Sequence, residues 1–136
     1  MSNWQTEIED LHAFFEAYFL GVKDSLDRVQ AALASNFSIV GPTGTESDRA
    51  ETIQAIEAGH GKASGLRIWV TDCRSLYEDE SVLAATYIEH QELGDGQSTQ
   101  RRSTVLFAID AAGPNGLRWH RVHETWTAEN NEIPAN

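Results

Sequence analysis

Apolar residues near the start of the chain recur at spacings of three and four: Trp4, Ile8, Leu11, Phe15, Tyr18 and Val22, with Glu7, Glu9, Asp10 and Glu16 between them. That period predicts an amphipathic helix over residues 4–20, ended or bent at Gly21. Leu26, Val29 and Leu33 continue the helical spacing and predict a second helix over about 24–34, opened by Asp24 or Ser25. The period then breaks. Residues 37–40 read as a short strand and Gly41-Pro42-Thr43-Gly44 as a turn. A third helix is expected from Ser47 or Asp48 to about Ala58, because Asp48 followed by Glu51 resembles a capping box and Ile53 and Ile56 share a face. Glycines in GHGKASG end it.

From Leu66 onward the period is two, which predicts strands at about 66–77, 82–93, 100–110 and 117–127. Short turn sequences separate them, so consecutive strands are expected to be antiparallel neighbours. In the last strand, LRWHRVHETW, strict alternation puts Trp119, Arg121, His123 and Thr125 on one side. His120, Val122, Glu124 and Trp126 then lie on the other, and a β-bulge within 117–123 would reverse this and turn Glu124 inward. Helices first and a meander afterwards make an α+β domain with the helices on one face of the sheet, a single domain over 1–136.

Composition narrows the function classes. The net charge of −11 repels nucleic acid and anionic membrane surfaces. No apolar run is long enough for a membrane span, and the polar opening MSNWQTEIED does not read as a signal peptide. Cys73 is the single cysteine, so no internal disulfide is possible and a cytoplasmic location is expected. The five histidines show no metal spacing, and His120 and His123 fall on opposite faces of a strand. Neither a metal nor a cofactor is expected, and no phosphate loop, dinucleotide motif or Ser-His-Asp signature is present.

VGPTG after the first strand and WHRVHETW in the last, in this element order, resemble the nuclear-transport-factor-2-like superfamily, the cystatin-like α+β cone that includes ketosteroid isomerases and SnoaL-like cyclases. The last stretch also resembles the final strand of the calcium/calmodulin-dependent kinase association domain, in the spacing of Trp119 and His123. The resemblance implies a cone-shaped, strongly bent and mostly antiparallel sheet with three helices on its concave face. It also implies a pocket between that face and the first helix, and a homodimer through the convex face. In ketosteroid isomerases an Asp before the Pro of the first turn is the base; here that place is Gly41, which cannot take a proton.

The pocket residues expected from alternation and resemblance are Phe15, Tyr18, Val70, Asp72, Tyr87, Glu89, Arg102 and His123, an apolar lining with a few polar groups. His123, Glu89 and Tyr18 are the candidate catalytic groups: a histidine that titrates near neutrality, a carboxylate to orient it and a phenol. A tight hairpin at Asp79-Glu80 would set Val70 opposite Glu89 and Asp72 opposite Tyr87. The function expected is binding of a small, largely apolar molecule, with cofactor-free acid–base chemistry of the isomerase, cyclase or dehydratase type as its enzymatic form. The alternative is a non-catalytic association module, dimerising through Trp69, Thr71, Thr86 and Ile88 on the outer face.

Overall fold

The computed structural model describes residues 3–128, so the expected domain limits at 1 and 136 lie outside the described residues. The order is α1 (Trp4–Leu20), α2 (Asp27–Ala32), β1 (Leu33–Val40), β2 (Glu46–Asp48), α3 (Arg49–Ala58), β3 (Arg67–Glu78), β4 (Val82–Glu92), β5 (Ser98–Ile109) and β6 (Leu117–Trp126), with a short 3-10 turn at Pro114–Gly116 before β6. One bent, unclosed sheet runs β2-β1-β6-β5-β4-β3. The expected meander of β3 to β6 is present; β1 joins it parallel to β6, and the other neighbours are antiparallel. This is the α+β cone expected from the sequence, with a mixed sheet.

Local chemistry explains the boundaries. Gly21 takes a left-handed conformation (φ 85°) that closes α1 with bonds to Ala17 and Tyr18 carbonyls. Asp48 and Glu51 form the expected capping box, each side chain accepting the other's backbone N–H at 2.9 Å. α2 is shorter than its periodicity suggests, because the backbone turns extended at Leu33 and gives that residue to β1. The sequence predicts no strand at β2, because its three polar residues hold no alternation long enough to register.

Two bulges decide which side chains face inward. In β3 the pairing skips between Thr71 and Arg74, and Asp72 takes φ 53° there. In β6, Trp119 pairs with Phe107 and Arg121 with Leu106, leaving His120 as the extra residue. Ile8, Leu11, Val29, Phe37, Leu83 and Phe107 fill the space between α1, α2 and the concave face. Glu7, fully buried at the edge of this core, accepts from Arg28 (2.7 Å), Asn115 (2.9 Å) and the Trp119 indole (2.9 Å), so its charge is matched by donors.

Candidate functional site

The concave face and α1 enclose a cavity of about 70 Å³. Its walls include Phe15 from α1, Phe37 and Ile39 from β1, Ile56 from α3, and Trp119 and Val122 from β6. Its polar groups come from four elements: His12 on α1, Thr52 on α3, Tyr87 and Glu89 on β4, and Glu124 on β6. Larger depressions exist, such as that of about 630 Å³ between Arg49 and Arg118, but they are open. Those arginines already bond backbone carbonyls of Gln30 and Ala31, whereas the enclosed cavity is where buried charges converge.

His12 is the centre of the cluster. Its Nδ1 lies 2.7 Å from the Ile8 carbonyl and its Nε2 lies 3.1 Å from Glu89 Oε1. A carbonyl only accepts, so Nδ1 must carry a hydrogen and donate. The shared proton between Nε2 and Glu89 then decides the charge state of both. Burial pushes the imidazole down, but the Glu89 carboxylate, its hydrogen bond, the Ile8 carbonyl and Glu124 outweigh that and raise it above 6.5. Burial pushes Glu89 up, yet His12, Arg101 and the Gln91 amide (2.6 Å) hold it down to about 2. The two are therefore an imidazolium–carboxylate pair.

Cross-strand rows supply the rest. Tyr87, Ser103 and Glu124 lie side by side across β4, β5 and β6, and Glu89, Arg101 and Trp126 form the next row. Burial, followed by the Glu124 and Glu89 carboxylates, pushes the Tyr87 phenol well above 10 against the pull of Ser103 and Arg101, so it stays neutral. Ser103 Oγ donates to Glu124 Oε2 and Arg101 to Glu124 Oε1, both at a long 3.3 Å. Burial and the nearby Glu89 charge raise the Glu124 carboxyl, against the pull of Arg101 and His12. Two carboxyls in one cavity are thus driven apart, one firmly ionised and one retaining its proton more readily.

Of the residues expected from the sequence, Phe15, Tyr87 and Glu89 line this cavity. Val70 pairs with Glu89 in the expected register and packs against the core beside the site. Tyr18 is buried elsewhere, against Phe14 and His60. Asp72 is carried out of register by its bulge and pairs on the outer face with Arg102 (3.2 Å) and Arg74 (3.4 Å), so neither Asp72 nor Arg102 reaches the cavity. His123 is exposed: it pairs with Thr104 in the outer row, and the His120 bulge turns Val122 and Glu124 inward instead. His123 thus faces opposite to the expected side because of the extra residue. His12 is not among the residues expected from the sequence, although it sits four residues after Ile8 and beside Leu11 on the apolar side of α1, a spacing that carries the signal.

Comparisons with known proteins agree with this geometry. A nuclear-transport-factor-2-like protein of unknown function from Pseudomonas aeruginosa superposes with TM-score 0.85 at 27% identity, over 92% of this chain and 98% of that one. A protein from Streptomyces avermitilis, assigned as a dehydratase of the same fold family, gives TM-score 0.66 at 17% identity, over 90% of this chain and 94% of that one. The calcium/calmodulin-dependent kinase II hub of S. rosetta gives 0.64 at 14%, over 76% of this chain and 82% of that one. No curated protein matches the sequence. These likenesses establish the nuclear-transport-factor-2-like, cystatin-like fold. The model of the family described as sucrose-6-phosphate phosphohydrolase C-terminal matches residues 7–128, and the chain belongs to that family.

Proposed function

We propose that this chain is a small-molecule-binding domain whose ligand sits between α1 and the concave sheet, against His12, Glu89 and Glu124. The observation that carries this reading is the buried His12–Glu89 pair, 3.1 Å apart, set into a largely apolar wall. Buried ion pairs add little to stability and are often outdone by apolar replacements, so their presence at a cavity favours a working role. The cavity is far smaller than the roughly 300–1,000 Å³ of drug-sized sites, which selects a ligand of few atoms. In an enzymatic form, Glu124 is the best-placed proton acceptor, because a carboxyl raised toward neutrality is a stronger base than one held at about 2. His12 and Glu89 then stabilise charge beside it. The phosphosugar in the family's description does not suit this lining, where two carboxylates would repel a phosphate.

The test is a thermal-shift screen of small molecules on the protein and on a Val122→Phe variant that fills the cavity. Binders at about a hundred times their Kd should stabilise the unmodified protein by about 2.7 kcal/mol and leave the filled variant unmoved. Equal shifts in both proteins would place binding elsewhere and refute the reading.

A second reading, association, is favoured by the outer face. Trp69 stacks flat on His90 at 5.1 Å there, with Arg67 over the indole, and Trp69 remains 36% exposed. A homodimer through Trp69, Thr71 and Ile88 is compatible with a ligand in the cavity; Thr86, expected on the same patch, is buried and donates its hydroxyl to the Ser103 carbonyl. Among the described residues no helix is long and apolar enough to cross a membrane, and the free thiol of Cys73 suits a reducing, cytoplasmic setting.

A further inference from the structure

We propose that the open depression beside the C-terminal end of α2 binds a phosphate group, free or carried by a small organic molecule, through Arg49 and Arg118. This site is separate from the inner cavity and stands independently of the function given to that cavity. The depression has a volume of about 630 Å³, and Gln30, Leu33, Ser35 and Asp110 line it together with the two arginines. Charge pairing across the chain singles out Arg49. Twenty-one Asp and Glu stand against ten Lys and Arg, so carboxylates are plentiful. Among the described residues every other arginine has one at ion-pair distance: Arg28 has Glu7, Arg67 has Glu92, Arg74 and Arg102 share Asp72, Arg101 has Glu124, Arg118 has Asp110 and Arg121 has Glu46. Arg49 has none among them. Its own helix does not call for a cation either, since Arg49 opens α3, where the helix dipole favours negative groups. Asp48 and Glu51, the acids beside it, turn their carboxylates to the capping box and do not line the depression.

The bonds that anchor the two guanidiniums leave part of each unused. Arg49 gives Nη2 to the Gln30 carbonyl at 2.9 Å and Nε to the Leu33 carbonyl at 3.3 Å. Arg118 gives Nη1 to the Ala31 carbonyl at 2.7 Å and Nε to Asp110 at 3.0 Å. Gln30 and Ala31 are consecutive, so their carbonyls hold the two cations side by side. Among the described residues Nη1 of Arg49 and Nη2 of Arg118 have no acceptor, and each of these nitrogens carries two hydrogens. Two guanidiniums against the one carboxylate of Asp110 leave the lining with an excess of positive charge. A carboxylate has two oxygens and satisfies one guanidinium fork. The three terminal oxygens of a phosphate monoester can serve two forks at once. Both side chains are already tethered, so little freedom remains to be lost on binding. The rest of the depression has room for the organic part of an ester. The net charge of −11 repels anions from the surface at large, so a phosphate held here is held by these local contacts.

Inorganic phosphate, glycerol phosphate and acetate are the probes, each titrated at fixed ionic strength while following the Arg49 and Arg118 Nε–H and the Ser35 amide resonances by NMR. The expected result is a saturable shift of these resonances with phosphate or its ester, and binding at least roughly tenfold weaker with acetate. Tighter binding of glycerol phosphate than of inorganic phosphate assigns the depression to an ester, and the reverse assigns it to the free ion. Arg49→Gln should weaken the phosphate probes by at least about tenfold, the scale of one charge-assisted hydrogen bond. Ser35→Asp sets a carboxylate at an exposed position of the depression and leaves the arginine bonds in place. It should weaken phosphate as strongly, with the melting temperature in phosphate-free buffer nearly unchanged. Acetate binding as well as phosphate would overturn the ligand class. The absence of a saturable shift at these resonances, or phosphate binding undiminished in Ser35→Asp, would overturn the site. The native chain and Ser35→Asp decide the matter even if Arg49→Gln fails to fold.

Discussion

At the scale of single residues, the His12–Glu89 pair makes a prediction about pH with a definite sign. Glu89 is held below its ordinary 4.5, at about 2, so its contribution is complete above pH 4.5 and fades as pH falls toward 2. His12 is raised above 6.5, so its contribution is complete below 6.5 and fades as pH climbs through the higher folded value. The pair therefore stabilises most between about pH 4.5 and 6.5. Melting temperature measured against pH for the native chain, minus that of a His12→Phe/Glu89→Leu double variant, should peak in that window. A flat difference from about pH 3 to 8 would rule out an ionised pair. Breaking the pair is a separate matter: His12→Ala strands a buried carboxylate and should cost about 3–5 kcal/mol, while the double variant should cost much less. Exposed His123, by contrast, should tolerate His123→Gln within about 0.5 kcal/mol and with unchanged binding. Alternation alone could not reveal this, because period two assigns faces only up to the first bulge. Glu89, Tyr87 and Phe15 were legible since β4 and α1 run without interruption. Asp72 and His123 were not, since their facing depends on the extra residues in β3 and β6, whereas Arg102 lies opposite Ile88 in the regular β4–β5 ladder and so on the face away from Tyr87 and Glu89.

Among the elements, α3 is the one whose hold on the rest is local. Ile56 is its buried side chain, and its start is fixed by the Asp48–Glu51 box and by Arg49 bonding the Gln30 and Leu33 carbonyls. Asp48→Ala should therefore cost about 1 kcal/mol, visible as a small fall in melting temperature; no fall would mean the cap is not formed in solution. The box was readable in the sequence because its chemistry spans only three residues. The parallel join of β1 to β6 was not, since no local pattern states which distant strand a short one will meet. A tighter constraint joins two loops: a side chain at Gly94 would run into the Ser64 carbonyl, and Gly65 lies against the Gly94 backbone. The helix-ending glycines of GHGKASG thus also let the β4–β5 turn close on the loop after α3.

For the whole molecule, the outer sheet face carries no helix among the described residues, and its Trp69, Ile88 and His90 side chains are the candidates for burial between two copies. A dimer covering that face should bury on the order of 1,200–2,000 Å² in total. Light scattering should report a dimer that Ile88→Lys converts to monomer, while a monomer at every concentration would remove the association reading. β3, the exposed sheet edge, guards itself with Asp72, Arg74 and two bulges, and α1 caps one of its N–H groups through Glu16 to Ile68 (2.7 Å). Association is for that reason expected through the face and not by strand addition.

The extra residue in β6 separates two properties that are usually inherited together. Taking His120 out would give a regular ladder in which Trp119, Val122 and Glu124 still face inward, since the bulge places two residues where one would do. The chemical content of the cup would survive, while the added local twist and the bond from His120 to Asn36 at 3.0 Å would be lost. Shortening the chain by that one residue would make curvature a variable on its own, and would let the shape of the cup be varied while the groups that line it are kept.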